Sequence, residues 1–370
     1  MARLSDSLLF VTPSCWLLLA CAAPQAPVAE AVVIPSPASS ASVAPPAAEL
    51  APGVTSSPTP LAPSSPDAES ATVPAPLPDG SPAIPAVSRA DAMEAIRLAN
   101  DGDRSVKVNV EGAIQKYTSA FELDPTNAKI AHKLGQAYQK KEDWERMAST
   151  FAAAVALEPR EAQYHFKRGY ALVKLAEARD PDQYEAAKVP LERCIELEPT
   201  HAECHFFLGT AAEYTVDDQV ALESYTRAIE NAPEVAYFYP PLAALYIVHK
   251  RYREATRTLA EATRRIAPTE ANAESLYAIH ILRFQVAQVK GDDRAMLEAM
   301  EQAQAVVGDA HPEIAFHLGA TYAALKPPET AKAIRLLMSF TKRVCRSSRA
   351  ARYREQCQVA AQLLEQLGGR

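Results

Sequence analysis

The sequence has no glycine-rich phosphate loop, no His-Glu-x-x-His helix and no Gly-x-Ser-x-Gly elbow. Those short patterns set up phosphate binding, zinc hydrolysis and nucleophilic attack. No stretch outside the regular helical pattern is large enough for a separate catalytic domain, so the reading is a non-enzyme with no cofactor. Positive charge is short as well. Formal net charge is −7, so no whole-chain field gathers phosphates and no nucleic-acid partner is expected. Residues 22–87 contain no aromatic residue, no Lys and no Arg, yet hold 16 of the 29 prolines. Their acids are few: Glu30, Glu49, Asp67, Glu69 and Asp79. Such a segment buries too little apolar surface to offset the entropy of ordering it, which predicts a disordered Pro/Ala/Ser-rich linker.

The apolar stretch from Leu8 to Ala20 is broken by Thr12-Pro13-Ser14 and falls short of the roughly 20 apolar residues a membrane-spanning helix needs. With Arg3 ahead of it and Leu18-Leu19-Ala20-Cys21 behind, residues 1–21 have the shape of an export signal. The Leu-Leu-Ala-Cys end resembles a bacterial lipobox. That resemblance implies cleavage before Cys21 and a lipid on its sulfur, and Ala22 in the next position implies sorting to the cell outer membrane, periplasmic side. The linker would then tether the rest of the chain, with a reach of roughly 200 Å if extended and about 45 Å as a coil. The alternative is a soluble cytoplasmic adaptor with an uncleaved apolar N-terminus.

Residues 88–370 are rich in Ala, Leu and Tyr at helical spacing. Four prolines punctuate them, Pro125, Pro159, Pro199 and Pro233, at intervals of 34, 40 and 34 residues. The unit is clearest in "AKIAHKLGQAYQKKEDWERMASTFAAAVALEPRE", residues 128–161. Ahead of each proline runs a set of the same kind: Ala113, Tyr117 and Ala120; Ala187, Leu191 and Cys194; Ala221, Tyr225 and Ala228. A small residue lets two helices cross closely, a bulky one fills the gap a turn later, and the proline ends the hairpin. First helices carry a matching glycine at Gly135, Gly169, Gly209 and Gly319, with Ala243 substituting once.

Leu134-Gly135, Tyr138, Phe151, Ala154 and Pro159 together resemble the tetratricopeptide repeat (TPR). The resemblance implies an all-α, right-handed superhelical solenoid of about seven antiparallel hairpins, and a protein or peptide partner in its concave groove. Tetratricopeptide lipoproteins such as pilotins and outer-membrane assembly factors are similar in layout. By the same resemblance the groove slots are Lys129, His132, Gln136, Gln139 and Lys140 in the second unit. In the third and fourth they include Phe166, Tyr170, Phe206 and Tyr214, with Tyr237 added at the Tyr237-Phe238-Tyr239-Pro240-Pro241 junction. An exposed aromatic stripe beside a partly basic entrance suits an extended peptide or an amphipathic helix; the other reading packs those rings on neighbouring helices.

Several departures from the repeat carry expectations of their own. An insertion is expected around "NDGDRSVKVN", residues 100–109, and a longer turn near "ARDPDQYEA". After the Pro240-Pro241 pair a helix is expected to start at one of those prolines. "ARYREQCQVAAQLLEQLGG" reads as one amphipathic helix capping the stack. From Lys326 to Arg370 the balance is +7, a basic pole, and its stretch from Lys342 to Arg354 fits an anionic lipid surface, an acidic partner or a solvated cap.

Setting aside Cys15 and Cys21 leaves Cys194, Cys204, Cys345 and Cys357 as two local pairs, either disulfides or reduced buried thiols. His201, Cys204 and His205 are the nearest approach to a metal set. Because the same pattern is what the repeat would hold anyway, no metal is expected.

Overall fold

The computed structural model describes residues 87–369; the expected signal segment with Cys21 and the linker to residue 86 lie outside the described residues. Within them fifteen α-helices form seven consecutive hairpins and a final single helix, with no strand. The helices are α1 (Arg89–Ser105) and α2 (Val110–Leu123), α3 (Ala128–Lys140) and α4 (Trp144–Leu157), α5 (Ala162–Ala178) and α6 (Gln183–Leu197). Next come α7 (Ala202–Tyr214) and α8 (Asp218–Asn231), α9 (Tyr239–Val248) and α10 (Tyr252–Arg265), α11 (Ala273–Lys290) and α12 (Asp293–Val307). The last hairpin is α13 (Glu313–Ala324) with α14 (Thr330–Phe340), and α15 (Arg354–Gln366) follows. Each helix packs chiefly on its sequence neighbours, the one-dimensional pattern of a solenoid. No helix among these is long and apolar enough to cross a membrane.

The repeat residues explain the packing. Ala113, Ala120, Ala154, Ala187, Ala221, Ala228, Ala255 and Ala262 have no exposed surface, and Tyr117, Phe151, Leu191, Tyr225 and Leu259 are at most 2% exposed. Gly135, Gly169 and Gly209 each face one of these bulky side chains, and Gly319 faces Leu337. A Cβ at Gly209 would stand 2.8 Å from the Tyr225 ring, and one at Gly319 2.8 Å from Leu337, closer than van der Waals packing allows. Gly102, in the stretch that reads from sequence as an insertion, faces Tyr117 in the same way.

The turns repeat as well. Glu142, Val216, Lys250 and Gly291 occupy the left-handed region just before the second helix of their hairpins. At three of these turns an aspartate follows and caps that helix: Asp143, Asp217 and Asp292 accept from the amides of Arg146, Val220 and Ala295. Between hairpins, the residue six places after the closing proline binds its carbonyl. His165 Nε2 lies 3.0 Å from Pro159 O, His205 Nε2 2.9 Å from Pro199 O, and Tyr239 Oη donates to Pro233 O at 2.7 Å.

The structure corrects three local expectations. Residues 100–105 continue α1 instead of forming an insertion, so the turn is confined to 106–109. Tyr239 and not a proline begins α9, because a short 3-10 turn at Ala236–Phe238 brings the chain into helical geometry first. The C-terminal helix begins at Arg354, three residues past the expected Ala351, because residues 346–353 are turns and bends after a π-type turn at Thr341–Cys345.

Candidate functional site: an aromatic seam on the first helices

Side chains of the first helices α5 and α7 meet in a continuous run of rings, and α3 joins them through Gln139, which Lys167 of α5 reaches. Phe166 and Tyr170 on α5 have centroids 6.1 Å apart, and Tyr170 meets Phe207 on α7 edge-on at 5.0 Å. Phe207 touches Phe206 at 5.2 Å, and Phe206 touches Tyr237 and Phe238 at 5.1 and 5.0 Å. Trp144, the first residue of α4, closes the other end against Tyr170 at 5.9 Å. Edge-to-face and tilted contacts of this kind hold rings in fixed orientations. The floor is therefore rigid rather than a row of free side chains.

Sequence reasoning placed Phe166, Tyr170, Phe206 and Tyr214 on one exposed stripe, and the structure divides them. Phe166 is buried at 7% exposure, while Tyr170 and Phe206 are half-buried. Tyr214 is 51% exposed but stacks flat on Tyr184 of α6, centroids 4.3 Å apart, and stands outside the seam. The longer third hairpin accounts for this: its extra residues lengthen α5 and shift the start of α6, so that Tyr184 reaches the end of α7. Tyr237 remains 43% exposed at the edge of the seam.

The polar slots divide too. Lys129, Gln136 and Lys140 are exposed on α3, and Gln139 is half-buried. His132 is withdrawn between Phe151 and Tyr164, at 5.8 and 5.5 Å. Its Nε2 is buried with no protein partner, and burial, helped by Lys167, pushes its pKa down. It is a neutral imidazole filling the interface, not a groove cation.

Lys167 and Phe207 were missed, although each is the immediate neighbour of a named slot, Phe166 or Phe206. Adjacent helical residues diverge by about 100°, so the reading that selected one discarded the other. The Lys167 ammonium lies 5.3 Å from the Phe166 centroid and 6.0 Å from that of Tyr170 and donates to Gln139 Oε1 at 3.2 Å. No ion pair engages it among the described residues. Burial pushes its pKa down, opposed by the Glu203 carboxylate from α7. The same crowding pushes the Tyr170 phenol up to about 12 and that of Tyr237 higher still. The site thus offers rings, two neutral phenols and one cation that no carboxylate among the described residues reaches at ion-pair distance, Glu203 acting on it only from further off.

Cys194 is bonded to Cys204, Cα atoms 6.3 Å apart, and Cys345 to Cys357 at 5.6 Å. The cluster of soft ligands that does form is Cys194, His201 and Cys204, with both sulfurs bonded to each other. His201 caps α7, accepting from the Cys204 amide at 3.3 Å, and His205 faces Pro199. The trio read from the sequence is not assembled.

Comparison with known proteins agrees with this geometry where it is local. Residues 109–142, covering α2 and α3, match the family model described as TPR repeat. Among solved structures, MamA from Desulfovibrio magneticus RS-1 is similar at 18% identity over 46% of this chain and 94% of that one, TM-score 0.42. PilF of Pseudomonas aeruginosa is similar at 18% identity over 61% and 97%, TM-score 0.46. YrrB is similar at 24% identity over 51% and 93%, TM-score 0.42. No curated protein matches the sequence.

Proposed function

We propose that this chain is a non-enzymatic scaffold whose first helices hold an extended segment of a protein partner along the seam from α5 to Tyr237. The observation that carries the reading is the pairing of a fixed aromatic floor with Lys167, a cation whose one hydrogen-bond partner among the described residues is a neutral amide. Lys167 is half-buried and its one charged neighbour, Glu203, does not reach ion-pair distance, so a carboxylate supplied by the partner gains more there than on open surface. The segment that fits is apolar or aromatic, with one acidic group placed to reach Lys167. The cell envelope is the proposed setting: Cys21 would carry the lipid at the outer membrane, periplasmic side, and the linker would give the solenoid its reach.

Two measurements test these parts separately. Tyr170→Ala and Phe206→Ala each should weaken capture of the partner at least tenfold, since truncating a central aromatic commonly costs about 2 kcal/mol or more; a full interactome in both variants rejects the seam. Labelling with palmitate should mark the parent and not Cys21→Ser. A Cys21→Ser chain that still fractionates with membranes contradicts the anchor and leaves the seam standing.

A further inference from the structure

The two disulfides sit in opposite surroundings. Cys194 and Cys204 are fully buried between α6 and α7. Cys345 and Cys357 are only half-buried, and Cys357 lines an open hollow of about 490 Å³ with Ala350, Ala351, Arg354, Gln358 and Ala361. Arg354 lines that hollow, and the segment between the two cysteines carries four arginines against the single carboxylate of Glu355. Arg346, Arg349, Arg352 and Arg354 are all exposed, and no carboxylate among the described residues pairs with any of them. Arg343, by contrast, is taken up by Asp309. The bond itself joins the π-type turn at Thr341–Cys345 to the first turn of α15, so it fastens the last helix to the hairpin before it.

We infer that Cys345–Cys357 is a thiol–disulfide exchange site for small anionic thiols, admitted through the hollow beside Arg354. The incoming thiolate attacks Cys357 Sγ, the sulfur that lines the hollow. The Cys345–Cys357 bond breaks, a mixed disulfide forms on Cys357, and Cys345 leaves as a thiolate in a segment carrying Lys342, Arg343, Arg346 and Arg349. Nearby cations favour both the approach of an anion and the departing thiolate. A second thiol releases the first as an external disulfide and leaves two cysteine thiols, the two electrons coming from the two external thiols. The covalent tie between α15 and the π-type turn is then gone. What remains is the contact of Val359, Leu363 and Leu364 with the cluster around Phe316, Phe340 and Tyr353.

The test uses the full chain, folded, exposed at low ionic strength to glutathione, to neutral 2-mercaptoethanol and to cationic cysteamine, then quenched by alkylation. Rates are taken per thiolate and located by mass spectrometry. Expected are a glutathione adduct on Cys357, intact Cys194–Cys204, and a rate for glutathione about fivefold above that for cysteamine, falling with salt. In Arg349→Gln/Arg354→Gln that preference should shrink toward unity while 2-mercaptoethanol reacts as before. Opening of both disulfides together, or equal rates for the anionic and cationic thiols in the parent, would overturn the inference. The outcome is independent of the aromatic seam, which lies on other hairpins.

Discussion

Glu313 shows how much one side chain can organise. It is 9% exposed and accepts from Tyr277 Oη at 2.9 Å, Tyr353 Oη at 3.1 Å and His311 Nδ1 at 3.2 Å. His311 Nε2 reaches back to Glu274 at 3.2 Å. Burial alone would raise the Glu313 pKa, but hydrogen bonds from His311, its own backbone and Tyr277 outweigh it and hold the carboxyl at about 2. His311 is raised by its bond to Glu313, against burial. The signs fix a window. A lowered carboxyl contributes stability that is complete above its unfolded value of 4.5 and lost as pH falls toward 2. A raised histidine contributes stability that is complete below 6.5 and lost as pH climbs through its folded value. Both contributions are therefore present between pH 4.5 and 6.5. Glu313→Gln should cost about 2–4 kcal/mol there and flatten the pH dependence of the unfolding midpoint. A variant midpoint that tracks the parent at every pH contradicts this account.

At the scale of the element, the hairpin turn carries a measurable strain. Val216 holds φ at 61° while 83% exposed, in a region a β-branched residue disfavours by about 1–2 kcal/mol. Gly291 takes the matching position four helices on without that cost. Val216→Asn should raise the unfolding midpoint, a gain of about 1 kcal/mol, and an unchanged or lower midpoint would show the strain to be relieved elsewhere. The helices themselves were legible because alanine, bulky residue and proline at fixed intervals encode where two helices cross and where the hairpin closes. What the sequence hid is phase and length. Residues 100–105 look like a polar insertion, yet Ser105 and Gly102 lie on a helix that simply runs one turn longer. The seam was half visible for a similar reason: Phe206 and Phe207 both reach partners because α7 packs between two neighbours, so a single-face pattern cannot select between them. Tyr214 was misplaced because its partner, Tyr184, is set by a helix start that spacing alone does not fix.

For the whole molecule, near-neighbour packing means that each hairpin answers mainly to the next. Among the described residues five apolar clusters follow one another, and the seam belongs to the two that meet at α7. Changes at Glu313 or at Cys345–Cys357 are thus expected to leave α3, α5 and α7 in place, while changes in the seam leave the C-terminal hairpin intact. That separability makes a positional experiment decisive. A photoreactive amino acid placed singly at Gln139 or Tyr237, beside the seam, is compared in cells with the same group at Arg193 or Arg227, exposed on second helices α6 and α8. The account predicts one crosslinked partner band from both seam positions and none from the second-helix positions; a band arising only from Arg193 or Arg227 would place the partner on the wrong face and contradict it.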